Sequence, residues 1–254
     1  MKTLEDNDAT VVENLILELG DPRKAVQRRA IDELAAIAAA GNPIVAEKLR
    51  DAVASADRRV RWAAAYALAH VGAGAFAMDS ADALCEAMSD DDGDIRWAAT
   101  NLMVQLGREN LAEIGACLLK LAVDRDRNAR KMALYCIRDL EIAGPDLLIV
   151  VERAVRDPDV HVRLAALSVL AKLRDASGEA VRIMLESLKS DPDAGVRRAA
   201  ASAFGNLESA SADATAALTS AAADSGDKSL ARAARGALDR LEKVRLKKIG
   251  MEKL

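Results

Sequence analysis

Apolar and polar positions along this chain alternate with a helical period, and the whole pattern then returns at a longer interval. The phrase VRWAAAYAL at Val60–Leu68 comes back as IRWAATNL at Ile95–Leu102. With its first residue as position zero, the phrase recurs at Val26, Val60, Ile95, Ala129, Val162, Val196 and Leu230, with spacings of 34, 35, 34, 33, 34 and 34 residues. Position +4 is alanine each time: Ala30, Ala64, Ala99, Ala133, Ala166, Ala200 and Ala234. Position +8 is larger and apolar: Leu34, Leu68, Met103, Ile137, Leu170, Phe204 and Leu238. Positions 0, +4, +8 and +11 share one face of an α-helix, so each phrase predicts an amphipathic helix. The small +4 residue marks where a neighbouring helix must come close.

A second helical segment precedes each phrase, carrying Leu15, Leu49, Leu84, Leu118, Val151, Leu185 and Thr219 at position −11. Between the two segments lies a short acidic turn, as in DPRK at Asp21, DRDR at Asp124 and DPDV at Asp157. Asp, Ser and Pro there stop one helix and cap the next. Each unit thus reads helix, tight turn, helix. The expected units are about 8–40, 41–73, 74–108, 109–143, 144–175, 176–209 and 210–242, in one domain over 1–254, with a basic helical extension at 243–254. Such a unit cannot bury its apolar face alone, so stacking predicts an all-α solenoid. With helices about 9 Å apart, seven units would form a curved rod roughly 60 Å long.

DPDVHVRLAALSVL at Asp157–Leu170 and DPDAGVRRAAASAF at Asp191–Phe204 resemble the HEAT repeat, and most of all its short variety, the PBS-lyase HEAT-like type. The period is shorter than in most HEAT and armadillo units, while the tetratricopeptide and ankyrin phrases are missing. The resemblance covers essentially the whole chain. It implies a right-handed α-solenoid of about seven helix-turn-helix repeats, whose second helices line the concave surface.

Charge recurs with the same period. Position +1 holds Arg61, Arg96, Arg130, Arg163 and Arg197 in the five middle units, and position −3 holds Asp57, Asp92, Asp126, Asp159 and Asp193. An arginine row could bind phosphate, but acid and base recurring together predict a structural ladder in which each satisfies the other. Gln27 and Ala231 break the arginine row in the terminal units, where repeats are expected to be atypical. The run SDDDGDI at Ser89–Ile95 suggests a calcium loop, yet it lacks the required Gly and Glu positions and aligns with its sister turns.

Both tryptophans and both tyrosines fall on two rows away from the core face. Position +2 reads Arg28, Trp62, Trp97 and Lys131 through the first four units, and position +6 reads Asp32, Tyr66, Asn101 and Tyr135. His70 and Gln105 lie one turn further on, and Arg138 flanks the group. Amphipathic rings beside cations form binding hot spots. We read Arg28, Trp62, Tyr66, His70, Trp97, Asn101, Gln105, Lys131, Tyr135 and Arg138 as a concave surface for a protein partner; the competing reading has the rings filling space beside alanine.

Composition narrows the function classes. Hydrophobic residues make up 51% and aromatics only 2%, so the core must be aliphatic. A net charge of −4, from 36 basic and 40 acidic residues, disfavours wholesale nucleic-acid binding. Cys85, Cys117 and Cys136 lack metal-ligand spacing and read as small hydrophobes in or near packed helix faces. The MKTLEDNDAT start has no apolar signal core, and no apolar run approaches a bilayer's width, so a cytoplasmic setting without a membrane is expected. No cofactor or metal is expected. HEAT-like deoxyhypusine hydroxylases depend on His-Glu pairs, whereas His70 and His161 are each followed by Val. The expected function is a non-catalytic scaffold or adaptor. The alternatives are a bilin lyase-like chromophore handler, suggested by the repeat type, and a HEAT-like DNA glycosylase, suggested by the aromatic row. The tail LEKVRLKKIGMEKL reads as a solvated helix end whose cations suit the dipole.

Overall fold

The computed structural model describes residues 4–71, 80–173 and 178–251, and groups the chain into two compact units, 1–136 and 137–254. Among the described residues there are fourteen helices and no strand. The first unit holds α1 (Leu4–Glu18), α2 (Lys24–Ala39), α3 (Pro43–Val53), α4 (Arg58–Val71), α5 (Ser80–Ala87), α6 (Gly93–Glu109), α7 (Leu111–Leu121) and most of α8 (Arg127–Asp139). The second holds α9 (Pro145–Ala154), α10 (Val160–Leu170), α11 (Gly178–Ser190), α12 (Ala194–Phe204), α13 (Ala212–Ala223) and α14 (Lys228–Met251).

Odd-numbered helices are the first of each pair and even-numbered helices the second. In the first unit α1, α3 and α5 pack in one layer, and α2, α4 and α6 pack in another. The second unit repeats this with α9, α11 and α13 against α10, α12 and α14. Two layers arise because each helix has an apolar stripe too wide for one neighbour to cover.

The +4 alanines explain how the second helices approach one another. All seven have no exposed surface. A larger residue there would force the helices apart or into strained rotamers. The +8 side chains from Leu34 to Phe204 are likewise buried, while Leu238 in the last pair is only half-buried. Close approach is sharpest at Gly205, after α12, where a Cβ would stand 2.9 Å from the Ala237 backbone of α14.

The turns show a two-step use of aspartate. The residue at −5 accepts the backbone N–H at −3, as Asp90 does from Asp92, Asp124 from Asp126, Asp157 from Asp159 and Asp191 from Asp193, at 2.8–2.9 Å. The aspartate at −3 then caps the second helix. Asp92 accepts from Asp94 N–H, Asp126 from Ala129, Asp159 from His161 and Asp193 from Val196. Each carboxylate thus satisfies a donor that the helix start would otherwise leave unpaired.

This alters the expected ladder. Spacing predicts that Asp57, Asp92, Asp126, Asp159 and Asp193 face the arginine of their own repeat. They turn their oxygens onto nearby backbone N–H groups instead, Asp57 onto that of Arg59. Each arginine donates to carbonyls of its own turn: Arg61 to Ser55 and Ala56, Arg96 to Asp90, Arg130 to Asp124 and Arg125, Arg163 to Asp157 and Pro158, Arg197 to Asp191 and Pro192. The stitch between repeats goes to the next turn's −5 carboxylate, from Arg61 to Asp90 at 2.7 Å and from Arg163 to Asp191 at 2.8 Å. Arg197 reaches Asp227, the next −3 aspartate, at 3.5 Å, because position −5 of the last turn is Ser225. Where position +1 is Gln27, its amide donates to the Leu19 carbonyl.

The first turn offers a pH test. Asp21 accepts from the Arg23 guanidinium, which together with the Arg23 backbone N–H lowers its carboxyl pKa to about 2. A depressed carboxylate contributes stability above its ordinary pKa and loses it as pH falls through the folded value. The carboxyl carbon of Asp21 should therefore titrate near pH 2 by NMR, and Arg23→Ala should return the midpoint toward 3.8. An unchanged midpoint in that variant would show that the ion pair does not form in solution.

Candidate functional site

The rows at +2 and +6 lie on the second-helix layer. Trp62 and Tyr66, one turn apart on α4, stack with ring centroids 5.5 Å apart and planes 11° from parallel. Trp97 on α6 stacks on Tyr135 of α8 at 5.6 Å and 10°. The first pair lies within one repeat and the second bridges two. In each pair one ring is half-buried, Trp62 or Tyr135, and the other is exposed, with Tyr66 at 42% and Trp97 at 49%.

Packing and exposure therefore coexist. The inner rings fill space beside the Ala-rich helices, and the outer rings lie on them and face solvent. Stacking of this kind adds about 0.5–1.5 kcal/mol beyond area burial and fixes ring orientation. Asn101 is exposed on α6, one turn beyond Trp97, and Arg28 is exposed on α2. Lys131 is half-buried on α8, one turn before Tyr135. Gln105 is half-buried, and its side-chain oxygen is buried with no hydrogen-bond donor among the described residues. Arg138, near the end of α8, pairs with Asp139 at 2.7 Å. The side chain of His70 lies outside the described residues.

Sequence reasoning misses two other surfaces. The same +2 and +6 rows in the second unit line a shallow depression with Leu164, Arg198, Ser202 and Arg232, a signal visible in the row itself. On the first-helix layer, Leu17 is 75% exposed beside a groove whose rim carries Glu13, Glu18, Asp21, Asp51 and Asp57. The periodic signal of the first helices marks only their core positions, so that groove has no counterpart in the sequence pattern.

The acidic turn at Ser89–Ile95 is occupied by structural bonds. Asp90 takes Arg61 and the Asp92 N–H, and Asp92 takes Arg58 at 2.6 Å and the Asp94 N–H. Among the described residues no group of three or more His, Cys, Asp or Glu side chains could hold a metal ion. No helix of the described residues is long and apolar enough to cross a membrane.

Comparison with known families matches HEAT repeats to residues 12–104, 115–205 and 147–239. The chain belongs to the HEAT-repeat family. No curated protein matches its sequence. Solved structures agree on the fold of this HEAT solenoid. An archaeal HEAT-like repeats protein from Thermococcus onnurineus superposes with a TM-score of 0.55 at 11% identity, covering 92% of this chain and 97% of that one. Importin beta gives a TM-score of 0.63 at 16% identity, covering 92% of this chain and 35% of importin. Kap95p, in a structure describing its binding to RanGDP, gives 0.63 at 14% identity, with 92% and 35% covered. The HEAT solenoid thus spans about a third of these two larger proteins.

Proposed function

We propose that this HEAT solenoid is a non-catalytic scaffold that holds a protein partner on the second-helix face carrying Trp62, Tyr66, Trp97 and Tyr135. The observation that carries the reading is the state of Trp97, half exposed yet held in one orientation by Tyr135. A large ring already fixed before binding loses little conformational entropy when a partner covers it. Exposed aromatic surface flanked by Arg28 and Lys131 suits an apolar anchor with acidic neighbours. Kap95p, which shares the fold, binds RanGDP, and stacked repeats in general offer extended surfaces to partners.

The test is capture from a native lysate on wild-type protein and on a Tyr66→Ala/Trp97→Ala variant with matching helicity and melting. Loss of two hot-spot rings should weaken partner retention by at least about 30-fold. A protein retained equally by both would place recognition elsewhere on the chain. Retention abolished by nuclease would instead assign the face to nucleic acid.

A further inference from the structure

Two of the three cysteines meet in space. Cys85 on α5 and Cys117 on α7 belong to adjacent repeats, and their sulfurs are 3.3 Å apart. Both side chains are half-buried, so a small solute can reach them. Cys85 directly follows the core Leu84, and Cys117 directly precedes the core Leu118. Each therefore sits beside the core stripe, on the side turned toward the other repeat. Equivalent positions in other repeat pairs hold Ile16 with Lys48 and Glu152 with Met184, so the repeat itself does not require two thiols.

We propose that Cys85 and Cys117 form a reversible dithiol–disulfide site that responds to hydrogen peroxide. A disulfide needs its sulfurs at about 2.05 Å, so a closing movement of little more than an ångström, shared between two flexible side chains, forms the bond. One thiolate attacks a peroxide oxygen, the O–O bond breaks and hydroxide leaves, giving a sulfenic acid. The second thiolate attacks that sulfur, forming the S–S bond and expelling hydroxide. The two protons released by the thiols convert both hydroxides to water. The sulfurs lose two electrons in total and peroxide gains them. Cys136 takes no part, being buried with its sulfur against the Thr100 carbonyl at 3.7 Å.

The cross-link joins the first helices of the two repeats whose second helices, α6 and α8, carry the Trp97–Tyr135 stack. Oxidation thus fixes the spacing of those repeats from the layer opposite the rings. Any consequence for partner binding rests on the function proposed above, whereas the disulfide itself does not.

The experiment treats the full chain with a small excess of hydrogen peroxide, blocks free thiols, and maps peptides by mass spectrometry with and without dithiothreitol. The expected result is an intact chain lighter by two hydrogen atoms before blocking, then one peptide pair joining Cys85 to Cys117, with Cys136 carrying the blocking group. The oxidised chain should melt roughly 5 °C higher, since the link closes a loop across two repeats. Cys85→Ser should abolish the cross-link, and Cys136→Ala should leave it intact. Sulfinic or sulfonic acids without a cross-link, pairing through Cys136, disulfide-linked dimers, or a lower melting temperature on oxidation would each overturn the proposal. Partner capture compared between oxidised and reduced protein bears on the scaffold function alone, because the disulfide is read by mass.

Discussion

Replacing Arg163 with methionine should destabilise the chain by about 3–5 kcal/mol in urea unfolding, far more than loss of an exposed ion pair. The Arg163 side chain is 11% exposed and that of Asp191 only 5%, and two parallel bonds of 2.8 and 3.1 Å join them. The remaining guanidinium nitrogen donates to the Asp157 and Pro158 carbonyls. Methionine would fill much of the volume but leave Asp191 buried with only the Asp193 N–H to compensate it. Lysine should rescue little, since a single ammonium cannot reproduce the planar fork. Arg29→Ala serves as the control: its pair with Glu18 is 57% and 33% exposed, and its removal should cost no more than about 1 kcal/mol. A loss below about 1 kcal/mol for Arg163→Met would show that water reaches Asp191.

Phe204→Ala should cost about 3–5 kcal/mol by the same measurement. Phe204 has no exposed surface and occupies the +8 position of α12, where other repeats carry Leu, Met or Ile. Helix α12 is packed by α10, α11 and α14, so the walls of the resulting cavity belong to three helices and cannot all collapse inward. Phe204→Leu should cost about 1.5 kcal/mol or less, because the repeat accepts Leu at this position. A loss of about 1.5 kcal/mol or less for Phe204→Ala as well would mean that the site collapses around a small residue and that the ring contributes little packing.

The repeat is legible in the sequence because its cause is local and periodic. A stripe at 0, +4, +8 and +11 can be read from one helix, and the +4 alanines mark close approach wherever they occur. Capping is legible in kind, since Asp before a helix start has few other uses, but the assignment of individual aspartates is not. In four of the turns, those of Asp90, Asp124, Asp157 and Asp191, the residues at −5 and −3 are both acidic, and one-dimensional spacing makes the −3 residue look like the arginine's partner. The three-dimensional turn decides otherwise, because an aspartate engaged with the N–H groups of its own helix start is directed along the backbone. The arginine then reaches across to a carboxylate about 28 residues later, as Arg163 does to Asp191.

At the candidate site the rows are visible in the sequence, but the pairing of the rings is not. Trp62 meets Tyr66 through the turn of one helix, which spacing alone allows. Trp97 meets Tyr135 only because α6 and α8 belong to neighbouring repeats, and which ring lies beneath the other depends on their packing. Cys85 and Cys117 show the same limit, since cysteine spacing along the chain gives no hint of a contact.

An all-helical stack of repeats, its turn chemistry and the face on which the aromatic residues fall are thus written along the chain, because these follow from periodicity and local backbone satisfaction. Which carboxylates Arg61, Arg163 and Arg197 hold, which rings stay exposed and which thiols touch emerge only when the repeats pack. Those outcomes depend on the offset between successive repeats, and that offset is set by side-chain packing distributed over whole helix faces.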